Sequence, residues 1–158
     1  MLLKGSCHCG AVRFSVRSST PYPYMHCYCS ICRKTAGGGY AINIMGEAAT
    51  LKVTGRRNLA VYRAKLSPRA KEPSPGERNF CRLCGSALWV SDPRWEDWVY
   101  PFASAIDTPL PAPRERQHIF LDAKPSWVQA PAKKGDKRFS GYPREAIIDW
   151  HRTRGLLK

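Results

Sequence analysis

Apolar and polar residues alternate in several short stretches of this chain. Val12, Phe14 and Val16 alternate with Arg13, Ser15 and Arg17, the pattern of a strand with one buried face. Residues 40–45, 51–55, 59–63, 87–90, 98–103 and 118–121 read as further short strands. Another is expected to lead into Cys81. Ser18-Ser19-Thr20-Pro21 ends the first strand. Thr35-Ala36-Gly37-Gly38-Gly39 is expected to be irregular, because consecutive glycines oppose regular structure. Residues 65–78 set Pro68, Pro73, Pro75 and Gly76 among Lys65, Arg69, Lys71 and Arg78, which is a basic, proline-rich loop. The helix candidate is 143–154, with Pro143 near its first position and Gly155 as its stop. About eight short strands and one terminal helix make a mainly β domain.

Composition changes this picture little. The 158 residues are expected to form one domain over 1–158, since domains centre on roughly 100–150 residues. No apolar run approaches the roughly 18 residues of a membrane span. Residues 1–7 lack the apolar stretch of a secretory leader, so a cytoplasmic location is expected. Charge says more. The 26 Lys and Arg outnumber the 12 Asp and Glu, for a net +14. The excess is uneven, with a net +11 over residues 1–82, −2 over 83–132 and +5 over 133–158. Such a surface attracts anions, from phosphate to small carboxylates.

The seven cysteines bring in the chemistry. An odd number cannot all pair as disulfides, and in a reducing compartment clustered cysteines point to metal or catalysis. None lies outside a cluster: Cys7 and Cys9, then Cys27, Cys29 and Cys32, then Cys81 and Cys84. Cys81-x-x-Cys84 followed by Gly85 has the form of a zinc knuckle, whose tight turn aims two sulfurs at one ion. Cys7-x-Cys9 can supply two more and close a four-sulfur structural site. Cys27-x-Cys29-x-x-Cys32 remains, and three protein ligands with an exchangeable fourth is the form of a catalytic zinc. The spacing predicts two zinc ions per chain. Two other readings stand beside it: one zinc with three spare thiols, and a second centre closed by His26 or His8. His118 reads as a hydrogen-bonded or core residue, and His151 is expected at the surface of the terminal helix. Trp89, Phe102 and Trp127 are candidates for a pocket wall or for core.

Gly5-Ser6-Cys7-His8-Cys9-Gly10-Ala11-Val12, Cys27-Tyr28-Cys29-Ser30-Ile31-Cys32-Arg33-Lys34, Phe80-Cys81-Arg82-Leu83-Cys84-Gly85-Ser86 and His118-Ile119-Phe120 resemble the glutathione-dependent formaldehyde-activating enzyme family. That family also includes the eukaryotic centromere protein V. The resemblance covers residues 4–130, approximately. It implies a β-tent fold of small antiparallel sheets pinned by zinc, here with a short C-terminal helix. It implies a structural zinc on Cys7, Cys9, Cys81 and Cys84, and a catalytic zinc on Cys27, Cys29 and Cys32. It also implies condensation of glutathione with formaldehyde to S-(hydroxymethyl)glutathione, whose reverse is a carbon–sulfur lyase reaction. A three-thiolate zinc is suited to accept a substrate thiol as its thiolate. Arg33 and Lys34, directly after Cys32, are candidates to hold a glutathione carboxylate, or else form a solvated basic pair.

The expected function is therefore a zinc enzyme acting on a small-molecule thiol and an aldehyde. The alternative is a zinc-stabilised basic module for nucleic acid or another anionic partner. Charge suggests it, but no Lys/Arg-rich helix at groove-reading spacing and no base-stacking motif accompanies that charge. A third reading is redox or metal buffering through Cys27, Cys29 and Cys32. What occupies the fourth coordination position separates the three.

Overall fold

The computed structural model describes every residue except Arg114, Ala132 and Lys158. In chain order its strands begin with β1 (Leu2–Ser6), β2 (Arg13–Arg17) and β3 (Tyr24–Cys27), followed by helix α1 (Ser30–Ala36). Then come β4 (Ala41–Asn43), β5 (Gly46–Glu47), β6 (Lys52–Thr54), β7 (Leu59–Arg63), β8 (Glu77–Cys81), β9 (Ala87–Ser91) and β10 (Trp98–Pro101). The chain closes with β11 (Arg116–Ile119), β12 (Lys137–Arg138) and helix α2 (Ile147–Thr153). The fold is mainly β, as the alternation predicts.

Three small sheets form. Their strand orders are β1-β2-β6, β5-β10-β9-β8-β7 and β12-β11-β3-β4. The first two are antiparallel throughout. In the third, β3 and β4 are antiparallel, but β11 lies parallel to both β3 and β12. Parallel pairing needs a long connection, which the chain between β3 and β11 supplies. In β2, Phe14 and Val16 are buried and the arginines at both ends are exposed. The paired β1 buries Leu3 and Gly5. At Gly5 a Cβ would lie 2.3 Å from the Ala105 carbonyl oxygen and 2.5 Å from Phe14 Cζ, so only glycine lets these segments meet.

Two apolar clusters lie among the sheets, and each carries one of the cysteine groups. The first gathers Leu3, Val12, Phe14, Val16, Leu88, Trp89 and Val99 with Cys7 and Cys81. The second gathers Met25, Ala41, Met45, Phe102, Ile119 and Ile147 with Cys27 and Cys32. Trp89 and Phe102 are thus core residues. Trp127, by contrast, is exposed, and its ring and Val128 close over Gly39, where a Cβ would meet Val128 at 2.4 Å.

The structure corrects four details. Thr35 and Ala36 belong to α1, and irregular backbone starts only at Gly37, whose φ is 74°. The terminal helix is Ile147–Thr153, shorter than 143–154, so Pro143 lies ahead of it. His151 is not at the surface: it is fully buried, and its Nε2 lies 2.7 Å from the Tyr22 carbonyl oxygen, to which it donates. The β3–β11 pair is parallel, whereas antiparallel sheets were expected. Among the described residues, no helix is long and apolar enough to cross a membrane.

Candidate metal centres

The four-cysteine group is assembled from two turns. At the first, the Cys7 N–H donates to the Val12 carbonyl at 3.0 Å and the Gly10 N–H to the Cys7 carbonyl at 2.9 Å. This folds Cys9 back beside Cys7. At the second, between β8 and β9, the Gly85 N–H donates to the Cys81 carbonyl at 2.8 Å. Gly85 takes a φ of 75°, which suits glycine. The β8–β9 turn meets the N-terminal turn through Ser86, whose Oγ accepts the His8 N–H at 3.0 Å and lies 3.2 Å from Cys84 Sγ. The sulfurs of Cys7, Cys9, Cys81 and Cys84 then all lie within 4.8 Å of one another. Cys7–Cys9 and Cys9–Cys81 are separated by 3.5 and 3.8 Å. A tetrahedral four-thiolate zinc with bonds of about 2.3 Å places its sulfurs about 3.8 Å apart, so the donor set fits that ion.

The three-cysteine group sits where β3 ends and α1 begins. Cys27 is the last residue of β3, Cys29 is the N-cap of α1, and Cys32 lies in the first turn of that helix. The Cys32 N–H donates to Cys29 Sγ at 3.4 Å, which orients the cap. The three sulfurs lie within 4.8 Å of one another. Cys27 and Cys32 are buried and Cys29 is half-buried, so access is from the Cys29 side. Among the described residues, no His, Cys, Asp or Glu completes this group as a fourth ligand. Tyr28 turns away, its hydroxyl 2.9 Å from His118 Nδ1. His26 stacks on Tyr40 at 5.0 Å, and His8 is exposed. Neither joins the triplet, and the seven cysteines divide four and three in space.

The electrostatics of both groups call for a cation. Hydrogen bonds from Cys27 and Cys32 bring the Cys29 thiol down to about 2. Hydrogen bonds with Cys29 and Cys32, together with burial, push Cys27 far above the thiol range. Cys32 is pulled down by Cys27, but its bond to Cys29 and its burial outweigh this and leave it at about 12. One thiolate is therefore shared by two thiols, because three negative sulfurs at this spacing repel one another. In the four-cysteine group, the Ser86 hydroxyl and nearby N–H groups lower Cys84 to about 5. At Cys9 the Ala11 N–H pulls downward, but hydrogen bonding with Cys7 and burial leave the thiol at about 12. A divalent metal removes this conflict, since it binds the deprotonated form of every ligand.

Two cations follow Cys32 on α1 and a third acts on it from β8. Arg33 is half-buried on α1, and its Nε is buried without a partner among the described residues; Lys34 is exposed. Sequence reading missed Arg78. It lies on β8 opposite Val90, which packs on the cluster beneath the triplet. Its Nε is also buried and, among the described residues, unpartnered, and its charge favours the Cys32 thiolate. Phe120 packs on the same cluster with a φ of 58°, a left-handed conformation rare for a bulky residue. It holds Tyr142 edge-on at 4.5 Å.

Comparison with known proteins agrees with this arrangement. The family model described as glutathione-dependent formaldehyde-activating enzyme matches residues 2–123. A Halomonas elongata protein, provisionally named as a glutathione-dependent formaldehyde-activating enzyme, is 57% identical over 157 residues, covering 99% of this chain and 98% of its own. The crystal structure of a Rhodobacter sphaeroides protein is similar, with a TM-score of 0.54 and 26% identity over 68% of this chain and 91% of that one. With two cysteine groups built as described and a near full-length relative, the chain belongs to the glutathione-dependent formaldehyde-activating enzyme family.

Proposed function

We propose that the chain is a zinc-dependent enzyme that joins the sulfur of glutathione to the carbon of formaldehyde. The product is S-(hydroxymethyl)glutathione, and the reverse cleavage is a carbon–sulfur lyase reaction. The observation that carries this reading is a three-sulfur group to which no fourth protein ligand is supplied among the described residues. The family and the name of the Halomonas relative support the choice of thiol and aldehyde. Bound zinc would supply a Lewis-acidic position that lowers the pKa of a thiol.

The residues of the chain take the remaining roles. Cys27, Cys29 and Cys32 hold the catalytic ion, and Cys7, Cys9, Cys81 and Cys84 hold a structural one. Arg33, Lys34 and Arg78 bind and orient a glutathione carboxylate through charge-assisted hydrogen bonds. The apolar cluster around Met25, Phe102 and Ile119 keeps water from beneath the sulfurs. In the reaction an S–H bond breaks, a C–S bond forms, and the aldehyde oxygen gains the proton, so no oxidant or reductant is needed. A reducing cytoplasm is the compartment in which such thiols stay available.

Titration calorimetry of glutathione into zinc-loaded protein tests the reading. Two buffers of different ionisation enthalpy count the protons. The expected result is binding with proton release, lost in Cys29→Ala. Failure of the zinc-loaded wild type to bind any thiol would overturn it.

A further inference from the structure

The sheet that carries Cys27 has a second face. Along β3, Met25 and Cys27 turn to the apolar cluster beneath the triplet. Tyr24 and His26 instead line a cleft of about 320 Å³. Arg116 and His118 of β11, cross-strand from Tyr24 and His26, line the same cleft. Ligand pockets run from roughly 300 to 1,000 Å³, so this one suits a single-ring guest. The thiol chemistry proposed above uses none of these side chains.

Two features ask for a ligand. The first is a set of flat faces. His26 stacks on Tyr40 at 5.0 Å and 24°, and His118 on Tyr28 at 5.8 Å and 21°. The two imidazoles lie 5.1 Å apart. Aromatic rings of this kind bury a planar guest well. The second feature is unspent hydrogen bonding. Nε2 of His26 and Nε2 of His118 are both buried without a partner among the described residues, in residues only 8% and 1% exposed. His118 Nδ1 is engaged by the Tyr28 hydroxyl, so Nε2 is the free nitrogen. The neighbouring acid pairs with His118 and Arg116 by charge but reaches neither by a hydrogen bond. Asp136 Oδ2 lies 3.7 Å from His118 Nε2 and 3.8 Å from Arg116 Nη1, beyond hydrogen-bond length. Its oxygens instead accept the backbone N–H groups of Arg116 at 3.1 Å and Lys133 at 2.9 Å. A buried nitrogen left unpaired is costly, and a bound acceptor relieves it.

We propose that this cleft is a second small-molecule site, for a planar aromatic carboxylate of benzoate size. The ring packs on the Tyr and His faces. The carboxylate takes the Arg116 guanidinium and the free imidazole N–H groups. The site lies across the sheet from the cysteine triplet and does not depend on thiol chemistry.

The test uses the zinc-loaded full chain, with sodium benzoate as the probe. The imidazole NMR signals are the readout. The chain has four histidines, so exposed His8 and buried His151 serve as internal controls. Saturable shifts are expected at His26 and His118, with His8 and His151 unmoved. Cyclohexanecarboxylate keeps the charge and loses the flat face. Benzyl alcohol keeps the ring and loses the charge. Each should bind at least about threefold more weakly than benzoate. Arg116→Gln should weaken benzoate about tenfold or more, and Tyr40→Leu about three- to tenfold, each with an unshifted His151 signal reporting an intact fold. Benzoate binding should persist in Cys29→Ala, which separates this site from the thiol site. Absence of saturable shifts at His26 and His118, equal movement of all four histidines, no preference over cyclohexanecarboxylate, or unchanged affinity in both folded variants would overturn the proposal.

Discussion

Arg33 on α1 and Arg78 on β8 each leave an Nε buried and, among the described residues, unpartnered, and the Arg78 charge acts on Cys32. If these cations read a glutathione carboxylate, removing them costs charged thiols more than neutral ones. The double variant Arg33→Gln/Arg78→Gln should bind glutathione about tenfold or more weakly. It should bind 2-mercaptoethanol nearly as the wild type does, and added salt should narrow the wild-type preference. Equal loss for both thiols would assign the arginines to folding. Arg33 could be named from the chain alone because it adjoins Cys32. Arg78 could not, because only the β8–β9 register opposite Val90 brings it there. The same limit hid Ser86 as the link between the two cysteine turns, and hid the burial of His151. Burial holds the His151 pKa below its ordinary value. The unfolded chain therefore takes up a proton that the folded chain resists. That contribution is complete above about pH 6.5 and is lost as the pH falls below it, by at most about 1.4 kcal/mol per pH unit. His151→Gln keeps a donor for the Tyr22 carbonyl and does not titrate. Urea midpoints should fall less steeply for this variant than for wild type between pH 6.5 and 5. Parallel curves would show that His151 does not contribute to the acid slope.

At the scale of elements, the strands with clear alternation were readable. Those that carry chemistry were harder. β2 shows its buried face in Phe14 and Val16, and the β8–β9 knuckle shows itself in Cys81, Cys84 and Gly85. β3 reads Tyr24-Met25-His26-Cys27, buried at every position. It has no polar alternation to mark it, because both of its faces are covered. α1 is short, and its N-cap is a cysteine rather than the usual Ser, Thr, Asp or Asn, so ligand spacing masked the helix. The parallel β3–β11 pairing joins segments far apart in the chain and leaves no local signal. These differences set what each metal group does for the fold. The four-cysteine group clamps the N-terminal turn to the knuckle across a long loop. A structural zinc is worth roughly 10–16 kcal/mol, against a typical net stability of about 5–15 kcal/mol. Cys81→Ala should therefore leave little folded protein, as read by circular dichroism and soluble yield. The triplet is local to one strand–helix junction, so Cys29→Ala should remain folded and lose thiol binding. Equal unfolding in the two variants would make both centres structural.

For the whole molecule, charge and metal content separate an enzyme from a nucleic-acid module. A net +14 attracts any polyanion, and binding driven by that charge alone falls by orders of magnitude between low and moderate salt. Charge therefore does not decide the function, and the test falls on the division of cysteines. Two zinc ions per chain are expected, held with different strength and different consequences. Four thiolates would close one site. Three thiolates and an exchangeable ligand would leave the other within reach of a competing chelator from the half-buried Cys29 side. Graded chelation should remove one zinc with the far-ultraviolet spectrum unchanged and thiol binding lost. The second should leave only together with unfolding. Rebinding to the triplet should release protons at neutral pH, because burial and the closeness of three sulfurs favour protonated thiols in the metal-free group. Zinc affinity at that site should accordingly rise with pH. Elemental analysis, a chelator titration followed by circular dichroism, and two-buffer calorimetry measure these steps. A content that stays at one ion after zinc saturation, or loss of both ions in one unfolding transition, would defeat the four-and-three division and the enzymatic reading built on it.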